Sequence, residues 1–227
     1  MSLLCNISIY ILMVLPIILL SRGYNMRPQR LLPLVAVIAL SLIAQSTIIT
    51  SLTGSGLFLN CLQQMFKVLA VPVMDAALID FALNDPKARK SLQVMGGGDD
   101  ASAAVAVAWT AVDVALYRWF NWYHVMGQPG FDEENLRSAV EAFVNIVSLL
   151  IAARLIEGRV QGNEHNSNKV NSTHNVSSGV WIWVAVVRVM GNGVAHFYGN
   201  NLIGSALNVV ALLCIRCFLG SKTGAKI

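Results

Sequence analysis

Apolar residues gather into seven long runs, at 3–20, 31–52, 57–83, 101–120, 136–155, 180–198 and 202–219, each of the length that a helix needs to cross a bilayer. Polar breaks separate them. The break at 84–100 carries Asp85-Pro86 and then Gly96-Gly97-Gly98, which read as a helix stop followed by a hinge. The break at 157–178 is rich in Asn, Ser and His and has almost nothing apolar to build a core, so it reads as a flexible cytoplasmic loop. The pattern predicts an all-α polytopic protein, a single seven-helix membrane domain over 1–227 with no internal repeat. The first run starts close to Met1, has no basic residue before it and no small-residue cleavage site after it, and is expected to act as an uncleaved signal anchor.

Composition narrows the solvent. With 56% hydrophobic and 12% charged residues, a chain of 227 residues has too little polar surface to cover a water-soluble globule. The basic residues then set an orientation. Of sixteen Lys and Arg, twelve fall on one set of alternate breaks and the C-terminal tail: Arg22, Arg27, Arg30, Lys87, Arg89, Lys90, Arg154, Arg159, Lys169, Arg216, Lys222 and Lys226. Arg118 and Arg137 flank the other face, and Lys67 and Arg188 fall inside the runs. The positive-inside rule predicts N-out, C-in. This distribution accounts for the net charge of +4 without a clustered basic surface, so no direct nucleic-acid contact is expected. The acceptor patterns at Asn171 and Asn175 then face the cytoplasm, and a third at Asn6 lies close to the membrane.

Ionisable residues within apolar runs cost about 2.5–3.5 kcal/mol each on insertion scales, so each needs a reason. Those here are Lys67, Asp75, Asp80, Asp113, Glu141, Arg188 and His196. Counting along the helices puts Asp113 and Glu141 about 10 Å below one boundary and Lys67 and Arg188 about 15 Å below it. The matched depth predicts that Arg188 or Lys67 holds the two acids as structural ion pairs. In the fourth run, Ala104, Ala108, Ala111 and Ala115 share a face and predict close helix packing. Tyr117, Trp119, Trp122 and Tyr123 read as an interfacial belt.

Catalytic signals are weak. Phe120 to His124 and His196 to Asn200 have the F-x-x-x-H and H-x-x-x-N spacing of the prenyl-protein endopeptidase type of membrane hydrolase, which keeps that activity as the alternative, with His124, Glu133, Glu134 and His196 as its groups. The glutamate pair fits badly: Glu133-Glu134-Asn135-Leu136-Arg137 is one residue short and follows the first element instead of preceding it. Cys5 and Cys61 can bridge or remain thiols, and Cys214-Ile215-Arg216-Cys217 lacks companion ligands, so neither a metal nor another cofactor is expected.

One extended pattern resembles a known family. Trp109, an acid four residues on at Asp113, Arg118 five beyond that, then Phe131-Asp132 and Glu141, follow the spacing of the transmembrane protein 147 family. Asn6, Pro16, Lys67, Asp75, Arg188 and His196 match more loosely. That family is similar in architecture to the anterior-pharynx-defective scaffold subunit of γ-secretase. The resemblance implies a non-catalytic scaffold in the endoplasmic reticulum membrane, bound to nicalin-like and nodal-modulator-like membrane proteins. Through them it would meet the Sec channel and the ribosome and aid insertion of multi-spanning proteins.

Overall fold

The computed structural model describes residues 2–26, 28–54, 56–92, 94, 99–118, 133–164 and 179–223, and among these it is helical with no strand. Helices α1 (Ser2–Gly23) and α2 (Pro28–Ser51) are followed by α3 (Leu57–Met65), a π-helical segment Phe66–Ala70, and α4 (Val71–Asn84). Then come α5 (Pro86–Ser91), α6 (Asp99–Asp113) with a second π segment Val114–Arg118, α7 (Glu133–Glu164), α8 (Val180–Tyr198) and α9 (Asn201–Thr223). Each apolar run is thus occupied by helix over its described residues. Four spans are long and apolar enough to cross a membrane as single helices: Gln29–Ser51, Glu133–Glu157, Val180–Tyr198 and Asn201–Phe218. The apolar part of α1, Ile7–Gly23, is shorter, and the third and fourth runs are each interrupted by a π segment.

Local chemistry explains the boundaries. The Asp85 side chain accepts from the backbone N–H of Lys87 at 2.8 Å and of Ala88 at 3.4 Å, and Pro86 occupies the first turn, so Asp85-Pro86 begins a new short helix as well as ending α4. Gly199 ends α8 with a left-handed φ of 62°, and Asn200 Oδ1 accepts from Leu202 N at 3.1 Å to start α9. The polar end of α2 satisfies its hydroxyls internally, with Thr47, Thr50 and Ser51 donating to carbonyls one turn back. The first π segment precedes Pro72, whose ring in a regular helix would press on the carbonyl four residues earlier, and the wider winding relieves that clash.

Helix α6 lies at the centre. Residues Ala101 to Thr110 are all buried, and the helix packs against α1, α2, α4 and α7. Ala104 and Ala108 are buried within it, Ala111 is half-buried and Ala115 is exposed, so the small-residue face closes on its neighbours over its first half only. Its start is held by Glu157, a buried carboxylate on α7 that accepts from Ser102 N at 3.2 Å and lies at the positive end of the helix dipole. Helix α7 therefore continues past Leu155, and Glu157, taken from the sequence as the first residue of the loop, belongs to the core; residues 165–178 lie outside the described residues. Helices α8 and α9 approach more closely than any pattern in the runs announced. A β-carbon at Gly204 would lie 2.4 Å from the Gly191 carbonyl oxygen and 2.6 Å from Ala195 Cβ, and one at Gly191 would meet the Asn208 side chain. Two pairs of residues spaced by four, Gly191 with Ala195 and Gly204 with Asn208, form this seam.

Candidate functional site

Six of the seven helical runs, all but α1, surround a polar cavity of about 460 Å³. Its walls come from the middle of α2 (Gln45, Ser46), the first π segment and α4 (Lys67, Asp75), and α6 with its π segment (Trp109, Asp113, Tyr117). Helix α7 adds Glu141, Asn145 and Ser148; α8 adds Arg188 and Asn192; α9 adds Asn201, Ser205 and Asn208. Both π segments border it. Such polar lining in a bundle of apolar helices is retained only where partners or water satisfy it.

Two ion clusters organise the walls. In the first, Arg118 Nε lies 3.1 Å from Asp113 Oδ2 and its Nη2 lies 3.6 Å from Glu141 Oε1. Arg118 Nη1 also donates to the carbonyl and the hydroxyl of Ser138. In the second, Arg188 Nη1 lies 3.8 Å from Asp75 Oδ2, while Gln45 Nε2 donates to Asp75 Oδ1 at 3.0 Å. Asn145 accepts from Ser205 at 3.3 Å, and Tyr117 donates to the Leu42 carbonyl at 3.2 Å, tying the second π segment to α2.

This arrangement corrects the pairing expected from depth. Arg118, counted from the sequence as flanking the opposite face, turns inward to 11% side-chain exposure and takes both acids; Arg188 takes Asp75 instead. Depth gives a residue's height in the bundle but not its direction. Five residues along a regular α-helix rotate the side chain by about 140°. The i→i+5 winding of segment Val114–Arg118 brings Arg118 back beneath Asp113. Lys67 lines the cavity, is exposed, and makes no hydrogen bond or ion pair with the described residues. His196 is exposed in the last turn of α8, beside the exposed Phe197 and Tyr198, so it is no buried charge.

Of the residues that carry the family resemblance, Trp109, Asp113, Arg118 and Glu141 converge here, while Phe131 and Asp132 lie outside the described residues. Of the groups named for hydrolysis, none of those described lines this cavity. Glu133 and Glu134 are exposed at the start of α7, His196 is exposed on α8, and His124 lies outside the described residues. Asn200, the last residue of the H-x-x-x-N pattern, has its side-chain oxygen engaged as the α9 cap. Among the described residues no cluster of three His, Cys, Asp or Glu is placed to hold a metal, and Cys61, Cys214 and Cys217 are exposed free thiols. Gln45, Asn192 and Asn208 were not singled out from the sequence. A signal existed: each is a large amide in a long apolar run.

The class of protein defined by this fold and site is an all-helical bundle whose apolar helices are compatible with a membrane, built around a charged internal cavity. Comparison with protein-family models finds no match, and comparison with curated proteins finds no significant one.

Proposed function

We propose that the chain is a non-catalytic scaffold subunit of an endoplasmic-reticulum membrane complex, crossing the bilayer seven times with its N-terminus out and its C-terminus in the cytoplasm. In this reading it binds a nicalin-like protein and a nodal-modulator-like protein and helps the Sec channel to insert multi-spanning clients. One observation carries it: Trp109, Asp113, Arg118 and Glu141, the described residues of the family pattern, meet at one place, where the acids and the arginine bind one another. Charges paired across helices fix packing and register in a bilayer, and that is the work of a scaffold. The positive-inside count supports the orientation.

Affinity purification in mild detergent tests the proposal. The expected result is recovery with a partner bearing a large lumenal domain and with ribosome and channel components. Isolation of a stable lone protein that cleaves prenylated peptide, and stops doing so on His196→Ala, would replace the scaffold with the hydrolase.

A further inference from the structure

The cavity is charged in two halves. On one wall stand Lys67, which has no partner among the described residues, and Arg188, whose Nη1 makes no hydrogen bond although it lies within ion-pair distance of Asp75. These come from the first π segment and from α8, which pack together. On the α6–α7 wall, Asp113 and Glu141 share the single guanidinium of Arg118, with Arg137 acting on Glu141 from one turn away and with Trp109 and Tyr117 alongside. Lys67 and the two acids therefore face one cavity from opposite walls. Asn208, 7% exposed, adds a buried amide oxygen without a hydrogen-bond partner.

A ligand that complements both halves carries an acidic group for Lys67 and Arg188 and a cationic group for the two carboxylates and the aromatic rings. The access route narrows the choice. Lys67 is exposed, and α3, immediately before it, buries none of its residues; Leu57, Phe58, Leu62 and Met65 all stand open. An apolar wall beside a charged mouth suits a molecule whose head enters the cavity while its hydrocarbon stays outside. The volume, about 460 Å³, lies within the range of small-molecule sites. We propose that this cavity binds the headgroup of a zwitterionic phospholipid, its phosphate toward Lys67 and Arg188 and its ammonium toward Asp113 and Glu141. Such a site needs only that the chain lie in a bilayer, and it holds whether or not the chain belongs to a scaffold complex.

Native mass spectrometry of the full chain, purified in detergent and supplied with phosphatidylcholine, phosphatidylethanolamine or phosphatidylglycerol, tests this directly. The wild type is expected to retain one phosphatidylcholine or phosphatidylethanolamine in preference to phosphatidylglycerol. Lys67→Met removes an exposed cation without a partner among the described residues, so the fold should be unaffected; it should lower retention about tenfold, the scale of one lost charge contact. Lys67→Arg should restore it. Soluble glycerophosphocholine should displace the lipid, marking recognition of the head. Equal retention by Lys67→Met, equal retention of phosphatidylglycerol, or lipid that glycerophosphocholine does not displace would each overturn the site and leave only lipid held by the apolar surface.

Discussion

The Arg118 guanidinium, shared by Asp113 and Glu141, joins α6 to α7. Removing Arg118 strands Asp113 and Glu141 together in a half-buried place, at a cost below the ~3–5 kcal/mol of a fully buried pair. Arg118→Met should therefore lower the stability of the detergent-solubilised protein markedly, and Arg118→Met with Asp113→Asn and Glu141→Gln should recover part of the loss. Arg188→Met or Lys67→Met combined with Asp113→Asn should give no such recovery, because Arg188 faces Asp75 and Lys67 faces neither acid at bonding distance. Thermal unfolding followed by tryptophan fluorescence or loss of monodispersity separates the two sets, and rescue by the second set would reinstate the pairing expected from depth. At this scale the sequence indicated Asp75, Asp113, Glu141 and Arg188 as charges inside the bundle, since ionisable groups in apolar runs are conspicuous, but it missed Arg118 and Glu157 and included the exposed His196. It did not indicate who pairs with whom, since the answer turns on a π winding that contains neither glycine nor proline to mark it.

Helix against helix, the bundle uses small residues in two ways. Along α6 the alanine face is buried at Ala108 and exposed at Ala115, so Ala108→Leu should destabilise by about 1–3 kcal/mol and Ala115→Leu should be close to neutral. A large effect at Ala115 without one at Ala108 would reverse the packing described. Between α8 and α9 the contact is tighter. A methyl group at Gly204 meets the Gly191 carbonyl, which belongs to a helical backbone and cannot move alone, whereas one at Gly191 meets the end of the Asn208 side chain, which can rotate away. Gly204→Ala should thus cost on the order of 2–3 kcal/mol and Gly191→Ala clearly less, measured as detergent-phase melting temperatures. The helices themselves were legible because long apolar runs favour helix, and each of the seven runs holds helix over its described residues, four of them long and apolar enough to cross a membrane. The seam was not, because Gly191, Ala195, Gly204 and Asn208 lie on two helices and their opposition depends on the turn at Gly199 and Asn200. That same turn gives Asn200, the last residue of the H-x-x-x-N pattern, a local role as a helix cap.

Across the whole molecule, charge distribution bears on the proposed orientation, and the inward turn of Arg118 strengthens the argument. Once Arg118 is neutralised by Asp113 and Glu141 it no longer serves as a flanking cation, and the division of basic residues becomes twelve against Arg137 alone. The bias is counted over short segments next to the apolar runs, where the rule is strongest. Arg154, which donates to the Tyr24 hydroxyl at 2.6 Å, ties the α1–α2 turn to the far part of α7, so two of the basic segments are brought to the same end of the bundle. Segments that share an end of a bundle share a side of the membrane. If that side is cytoplasmic, an acceptor sequence engineered into 121–135 should be glycosylated when the chain is made in microsomes, while native Asn171 and Asn175 should remain unmodified. Removal of glycan by an endoglycosidase, read as a mobility shift, reports each site separately. Modification at Asn171 or Asn175, with none at 121–135, would invert the orientation, move Lys87, Arg89 and Lys90 to the lumenal side against the charge rule, and withdraw the scaffold reading that rests on an N-out arrangement.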